Sequence, residues 1–94
     1  MNLKVLRYFL EIAKTENISK AADNLYITQP ALSRHIMELE NELGVKLFTR
    51  DKRRLQLTEE GALLVKRSEE ILSLVNKTAE EFSSSKDIIS GSVY

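Results

Sequence analysis

Six residues near the middle of the chain, Thr28, Gln29, Pro30, Ala31, Ser33 and Arg34, carry side chains suited to the edge of a base pair. A glutamine amide can accept from adenine N6 while donating to N7, and an arginine can grip guanine or a phosphate. The hydroxyls of Thr28 and Ser33 suit phosphate oxygens, and Pro30 and Ala31 can lie against a thymine methyl. A second cluster follows between Gly44 and Gln56. There Lys46, Arg50, Lys52, Arg53 and Arg54 stand against Asp51 alone, a local excess of four positive charges. Arg50, Arg53 and Arg54 suit phosphates or a narrow minor groove. Each group also has a plainer reading. Gln29 serves as an exposed polar residue of a first helical turn, Arg34 can pair with Glu38 four residues on, and a short basic run is commonly a solvated face.

Other chemistry is poorly supplied. The 94 residues contain no cysteine and one histidine, which excludes disulfides, thiolate metal sites and a histidine-rich metal centre. His35 lies about a quarter-turn from an apolar stripe and reads as structural. Glu59–Glu60, Glu69–Glu70 and Glu80–Glu81 are adjacent pairs that diverge by about 100° on a helix, with no nucleophile beside them, so they read as solvated faces rather than catalytic acids. No apolar run approaches the roughly 20 residues that span a bilayer, and the start MNLKVLRYF is no secretory signal, so a cytoplasmic protein is expected. Fourteen basic residues balance fourteen acidic ones. The placement of charge therefore matters more than its sum.

The elements that position the two clusters follow from periodicity. A first helix is predicted over about Leu3 to Thr15, apolar on two sides, with Leu3, Leu6, Leu10 and Ala13 on one and Val5, Tyr8 and Ile12 on the other. One side is expected to meet the next two helices. The other, with Val5 and Ile12, is expected to need a second copy of the chain. Ser19 is the expected N-cap of the second helix, Ala21 and Ala22 allow close approach, and Tyr26 and Ile27 are expected to fill the corner. Thr28 then caps a third helix with Pro30 in its first turn, and Leu32, Ile36, Leu39 and Leu43 form its buried stripe. Two helices at an angle joined by a short turn make a helix-turn-helix. Gly44 stands at its C-cap. Val45–Arg50 and Leu55–Leu57 then read as two short strands, with Leu47, Leu55 and Leu57 inward and Phe48 as anchor. A basic hairpin in that place is a wing. Thr58 caps a last helix running to about Phe82, in which Gly61 predicts a close backbone contact. Its positions Gly61, Val65, Ser68, Leu72, Val75, Ala79 and Phe82 repeat at four and three, a seam expected to pair with a second copy. Ser83–Ser85 read as a linker.

The run SKAADNLYITQPALSRHIMELENELGVKLFTRDKRRLQLTEEG closely resembles the DNA-binding region of LysR-type transcriptional regulators. The shared residues are Ala21–Ala22, Leu25, Gln29–Pro30–Ala31, Ser33–Arg34, Ile36, Leu39–Glu40, Leu43–Gly44, Leu47–Phe48, Arg50, Leu57–Thr58 and Gly61. The resemblance implies a mainly α fold: a winged helix-turn-helix over residues 1–58, with a three-helix core and a two-stranded wing, then a linker and dimerisation helix over 59–84. It further implies that residues 85–94 are a hinge to an effector-binding domain of two α/β lobes. No cofactor is expected within the chain itself, and a small-molecule effector is expected for that further domain. The implied partners are double-stranded DNA, with an interrupted inverted repeat as operator, and a second copy in a homodimer. A full-length tetramer and RNA polymerase are further partners it leaves open. The rival reading is a winged helix that binds protein rather than DNA. No enzyme is expected.

Overall fold

A computed structural model describes residues 1–51 and 54–90, excepting the side chains of residues 51 and 84–90. Four helices and one hairpin follow in order: α1 (Leu3–Thr15), α2 (Ile18–Leu25), α3 (Gln29–Leu43), β1 (Phe48–Asp51), β2 (Arg54–Leu57) and α4 (Glu59–Ser90).

The first helix starts where the Asn2 side chain accepts the N–H of Val5 at 2.9 Å and stops at Glu16, whose left-handed backbone (φ 57°) turns the chain. Asn17 rather than Ser19 is the N-cap of α2, its side chain accepting from the N–H of Lys20 at 2.9 Å. Asparagine caps at least as well as serine, so the helix begins earlier and Ser19 falls in its first turn. The start of α3 follows the sequence expectation. Thr28 accepts the N–H of Ala31, and at the other end Gly44 takes φ 73° and donates to the Glu40 carbonyl. A left-handed residue there satisfies an otherwise orphaned carbonyl.

Phe9, Ile12, Leu32 and Ala21 are wholly buried, with Leu39 and Leu47 close behind, and the Phe48 ring lies 5.3 Å from that of Phe9. Both apolar sides of α1 are covered by the same chain, because α1 packs against α2 and α3 and also against α4. This corrects the assignment of Val5 and Ile12 to a dimer surface. Val5 is 8% exposed and Ile12 not at all, both within the core of the single chain. The expected seam is corrected in the same way near its start: Gly61 and Ser68 are buried, and Val65 packs on the core.

The strands are shorter than expected at the start. Pairing begins at Phe48, in the antiparallel register Phe48↔Leu57, Thr49↔Gln56, Arg50↔Leu55 and Asp51↔Arg54. Residues Val45–Leu47 instead run into the hairpin as a loop held by Glu40, whose carboxylate accepts the Leu47 N–H at 2.8 Å. Three contacts join wing and α4. Thr58 donates its N–H to the Leu47 carbonyl at 3.0 Å, its hydroxyl donates to the Lys46 carbonyl at 2.6 Å, and that hydroxyl accepts the Gly61 N–H at 2.9 Å. Gly61 meets the expected close approach, since a Cβ there would lie 2.2 Å from the Leu47 carbonyl oxygen. Finally, α4 does not stop near Phe82 but continues through Ser83–Ser85 to Ser90. Residues 62–90 contain neither glycine nor proline, and serine costs only about 0.5 kcal/mol against alanine in a helix.

Candidate nucleic-acid interface

The burial of Leu32, Ile36 and Leu39 fixes the rotation of α3 about its axis. Gln29, Pro30 and Arg34 are consequently exposed on its other side, while Ala31 and Ser33 are half-buried at the flank. Thr28 is exposed and keeps its capping bond to Ala31. The amino end of α3 also carries the positive end of the helix dipole, which favours phosphate. Its carboxyl half differs. Glu38 and Glu42 are exposed there and would repel a phosphate backbone, whereas Glu40 is turned inward to hold the Leu47 amide. Only the first two turns of α3 offer a surface compatible with DNA. Leu43, expected to close the buried stripe, is 37% exposed as the last residue of the helix.

The turn before α3 departs from expectation. Tyr26 does not fill the corner: it is 95% exposed with φ 59°, and the half-buried place belongs to Ile27. Tyr26 serves through its backbone, whose N–H closes α2 on the carbonyls of Ala22 and Asp23. His35 packs edge-on against the Tyr8 ring at 5.4 Å, away from the exposed face, as its structural reading required.

The wing splits the basic cluster. Side chains alternate across a strand, and paired residues share a face. By the register, Arg50 shares the face of Phe48, Leu55 and Leu57, and Arg54 projects from the opposite one. Both are exposed. Arg50 thereby borders a cleft of about 200 Å³ between hairpin and helices, lined also by Asn17, Ser19 and Gln29. Arg53 and Lys52 lie outside the described residues. The structure therefore brings Gln29 and Arg50 together and sets Arg54 apart.

Sequence reasoning missed one member of this surface. Ser19 donates its hydroxyl to Oε1 of Gln29 at 2.9 Å. Their separation by ten positions in sequence, and the expected capping role, concealed it. Among the described residues no cluster of histidine, aspartate and glutamate side chains is placed to hold a metal ion, and no helix is long and apolar enough to cross a membrane.

The model of the bacterial regulatory helix-turn-helix proteins, lysR family, matches residues 3–62, the three helices, the wing and the first turn of α4. The chain belongs to the LysR family. Among similar proteins, the HTH-type transcriptional regulator BsdA of Bacillus subtilis (strain 168) is 42% identical over 94 residues, 99% of this chain and 32% of that protein. The probable RuBisCO transcriptional regulator of Emiliania huxleyi is 42% identical over 91 residues, 97% of this chain and 29% of that protein. Two solved complexes share the fold. The BenM_DBD/benA site 1 DNA complex superposes with a TM-score of 0.85 at 38% identity, covering 89% of this chain and 98% of that one. The CbnR_DBD–DNA complex gives 0.85 at 30% identity, covering 90% and 98%. The LysR family is regulatory and non-enzymatic, and this chain spans about a third of the length of the curated relatives it matches.

Proposed function

We propose that this LysR-family chain binds duplex DNA sequence-specifically as a homodimer, with the amino end of α3 in the major groove and the wing beside it. The observation that carries this reading is the exposed set Gln29, Pro30 and Arg34 on a helix whose opposite side is locked into the core. Gln29 and Arg34 read base edges, Thr28 and Ser33 meet phosphates, and Pro30 and Ala31 contribute apolar contact. Arg50 approaches the backbone beside α3, while Arg54, together with Arg53, serves the flanking phosphates or minor groove. That the BenM and CbnR domains were crystallised with DNA supports the reading.

The dimer is assigned to the part of α4 that α1 leaves uncovered. Leu72 and Val75 are half-buried, Ala79 is exposed, and Ile71, Leu74 and Phe82 are 37%, 62% and 73% exposed on the adjoining arc. Among the described residues that strip is only partly covered by its own chain, and its Ile71, Leu74 and Phe82 arc lies open. Two subunits on a two-fold axis call for an interrupted inverted repeat, with half-sites spaced near whole turns of DNA. The greater length of the relatives supports the view that this module works within a longer, effector-responsive regulator.

Selection from a pool of random duplexes, followed by salt titration of the selected site, tests the proposal. Affinity is expected to fall steeply with salt. Arg34→Ala is expected to cost about 1–3 kcal/mol and relax specificity at one position, whereas Arg54→Ala weakens all duplexes alike. Recovery of no preferred sequence at low ionic strength would refute it.

A further inference from the structure

We propose that Ser19 is a positioning residue for base readout, holding the carboxamide of Gln29 in place before DNA arrives. The inference rests on the reading above that Gln29 meets a base edge. The bond from the Ser19 hydroxyl to Gln29 Oε1, 2.9 Å long, joins the first turn of α2 to the first residue of α3. Both residues are exposed, and both line the cleft that Arg50 borders.

A free glutamine at the start of a helix samples many rotamers and can present either end of its amide. Holding the carbonyl oxygen from one side removes that freedom. One lone pair on Oε1 and both hydrogens on Nε2 remain for a partner. That is the acceptor-plus-donor pattern that adenine N6 and N7 complement, so the bond to Ser19 and the bidentate contact can coexist. The bond also ties the two helices of the helix-turn-helix together at the end nearest the proposed groove. Ordering the side chain in the free protein spares that cost on binding, which sharpens discrimination as well as affinity.

The test compares base preferences of the wild-type chain, Ser19→Ala, Ser19→Thr, Gln29→Ala and the double variant on a randomised duplex library, with unfolding temperatures alongside. Ser19→Ala is expected to lower affinity for the preferred duplex, and discrimination at the pair Gln29 reads, by about three- to tenfold, as for the cost of ordering one freed side chain on binding. Its affinity for bulk duplex and its unfolding temperature stay as in the wild type, because Ser19 is exposed. Ser19→Thr, which keeps a hydroxyl, restores the preference. The double variant is no worse than Gln29→Ala alone, since the two residues act as a unit. Three outcomes overturn the inference while leaving Gln29 as a reader: no effect of Ser19→Ala beside a clear effect of Gln29→Ala, losses that add in the double variant, or an equal loss on every duplex. Unchanged preference in Gln29→Ala overturns the base-reading assignment and the inference with it.

Discussion

Phe9 and Phe82 are both phenylalanines on the apolar side of an amphipathic helix, yet the first is wholly buried and the second is 73% exposed. The difference lies in what surrounds each helix. Around α1 the chain supplies α2, α3 and α4, so every side that periodicity marks as apolar finds cover. Beyond the reach of α1, the same kind of pattern in α4 meets no other element among the described residues. One end of the molecule covers its own apolar faces; the other leaves an apolar strip exposed. Periodicity alone cannot tell these apart, because it reports that a face wants cover and not who provides it.

Five substitutions would break or sharpen that contrast. Phe9→Ala is expected to cost about 3–5 kcal/mol in chemical denaturation, through a cavity at the centre of the core. A comparable loss from Phe82→Ala in a dilute, dissociated sample would erase the distinction. Val75→Glu should leave the unfolding of the single chain within about 0.5 kcal/mol of wild type. Sedimentation should nonetheless find it monomeric where the wild type pairs. Gly61→Ala lies between the two regions. Alanine gains about 1 kcal/mol of helix propensity, but its Cβ would sit 2.2 Å from the Leu47 carbonyl oxygen, so a net loss of about 1–2 kcal/mol is expected. Tyr26→Gly has the smallest expected effect. Relief of the left-handed backbone, about 1 kcal/mol or a little more, slightly exceeds the cost of glycine's greater freedom in the unfolded chain. Thermal unfolding should shift by no more than a degree or two upward.

Much of the fold was legible because local chemistry and tertiary structure agree. The bounds of α1 and α3, the Thr28 cap, the Gly44 stop and the tight approach at Gly61 all follow from residue type and spacing. What escaped depends on partners distant in sequence. The second cover for α1 arrives some fifty residues later, when α4 lies along Leu10 and Ala13, whereas Ile12 sits with Ile18, Ile36 and Phe48 on the side the helix-turn-helix and wing cover. The role of Glu40 was not foreseen, because only the loop to the wing brings the Leu47 amide to its carboxylate. Tyr26 looked like a core aromatic, but its place required a left-handed backbone, which turned the ring to solvent. The serine run looked like a break, yet helix continuity needs only the absence of a strong breaker. In the candidate interface the residues of α3 were identifiable individually. The division of Arg50 from Arg54 was not, since it follows from a register that begins three residues later than expected.

The knot of Thr58, Gly61 and the Lys46–Leu47 carbonyls acts at the fulcrum of a long arm. At 1.5 Å per residue, the 32 residues of α4 extend about 48 Å, so a tilt of roughly 5° at that base displaces the far tip by about 4 Å. Such a displacement exceeds the spacing between successive base pairs along a duplex, about 3.4 Å. A methyl group's worth of change beside Leu47 can thus be converted, in a pair of such chains, into a different separation between the two recognition ends.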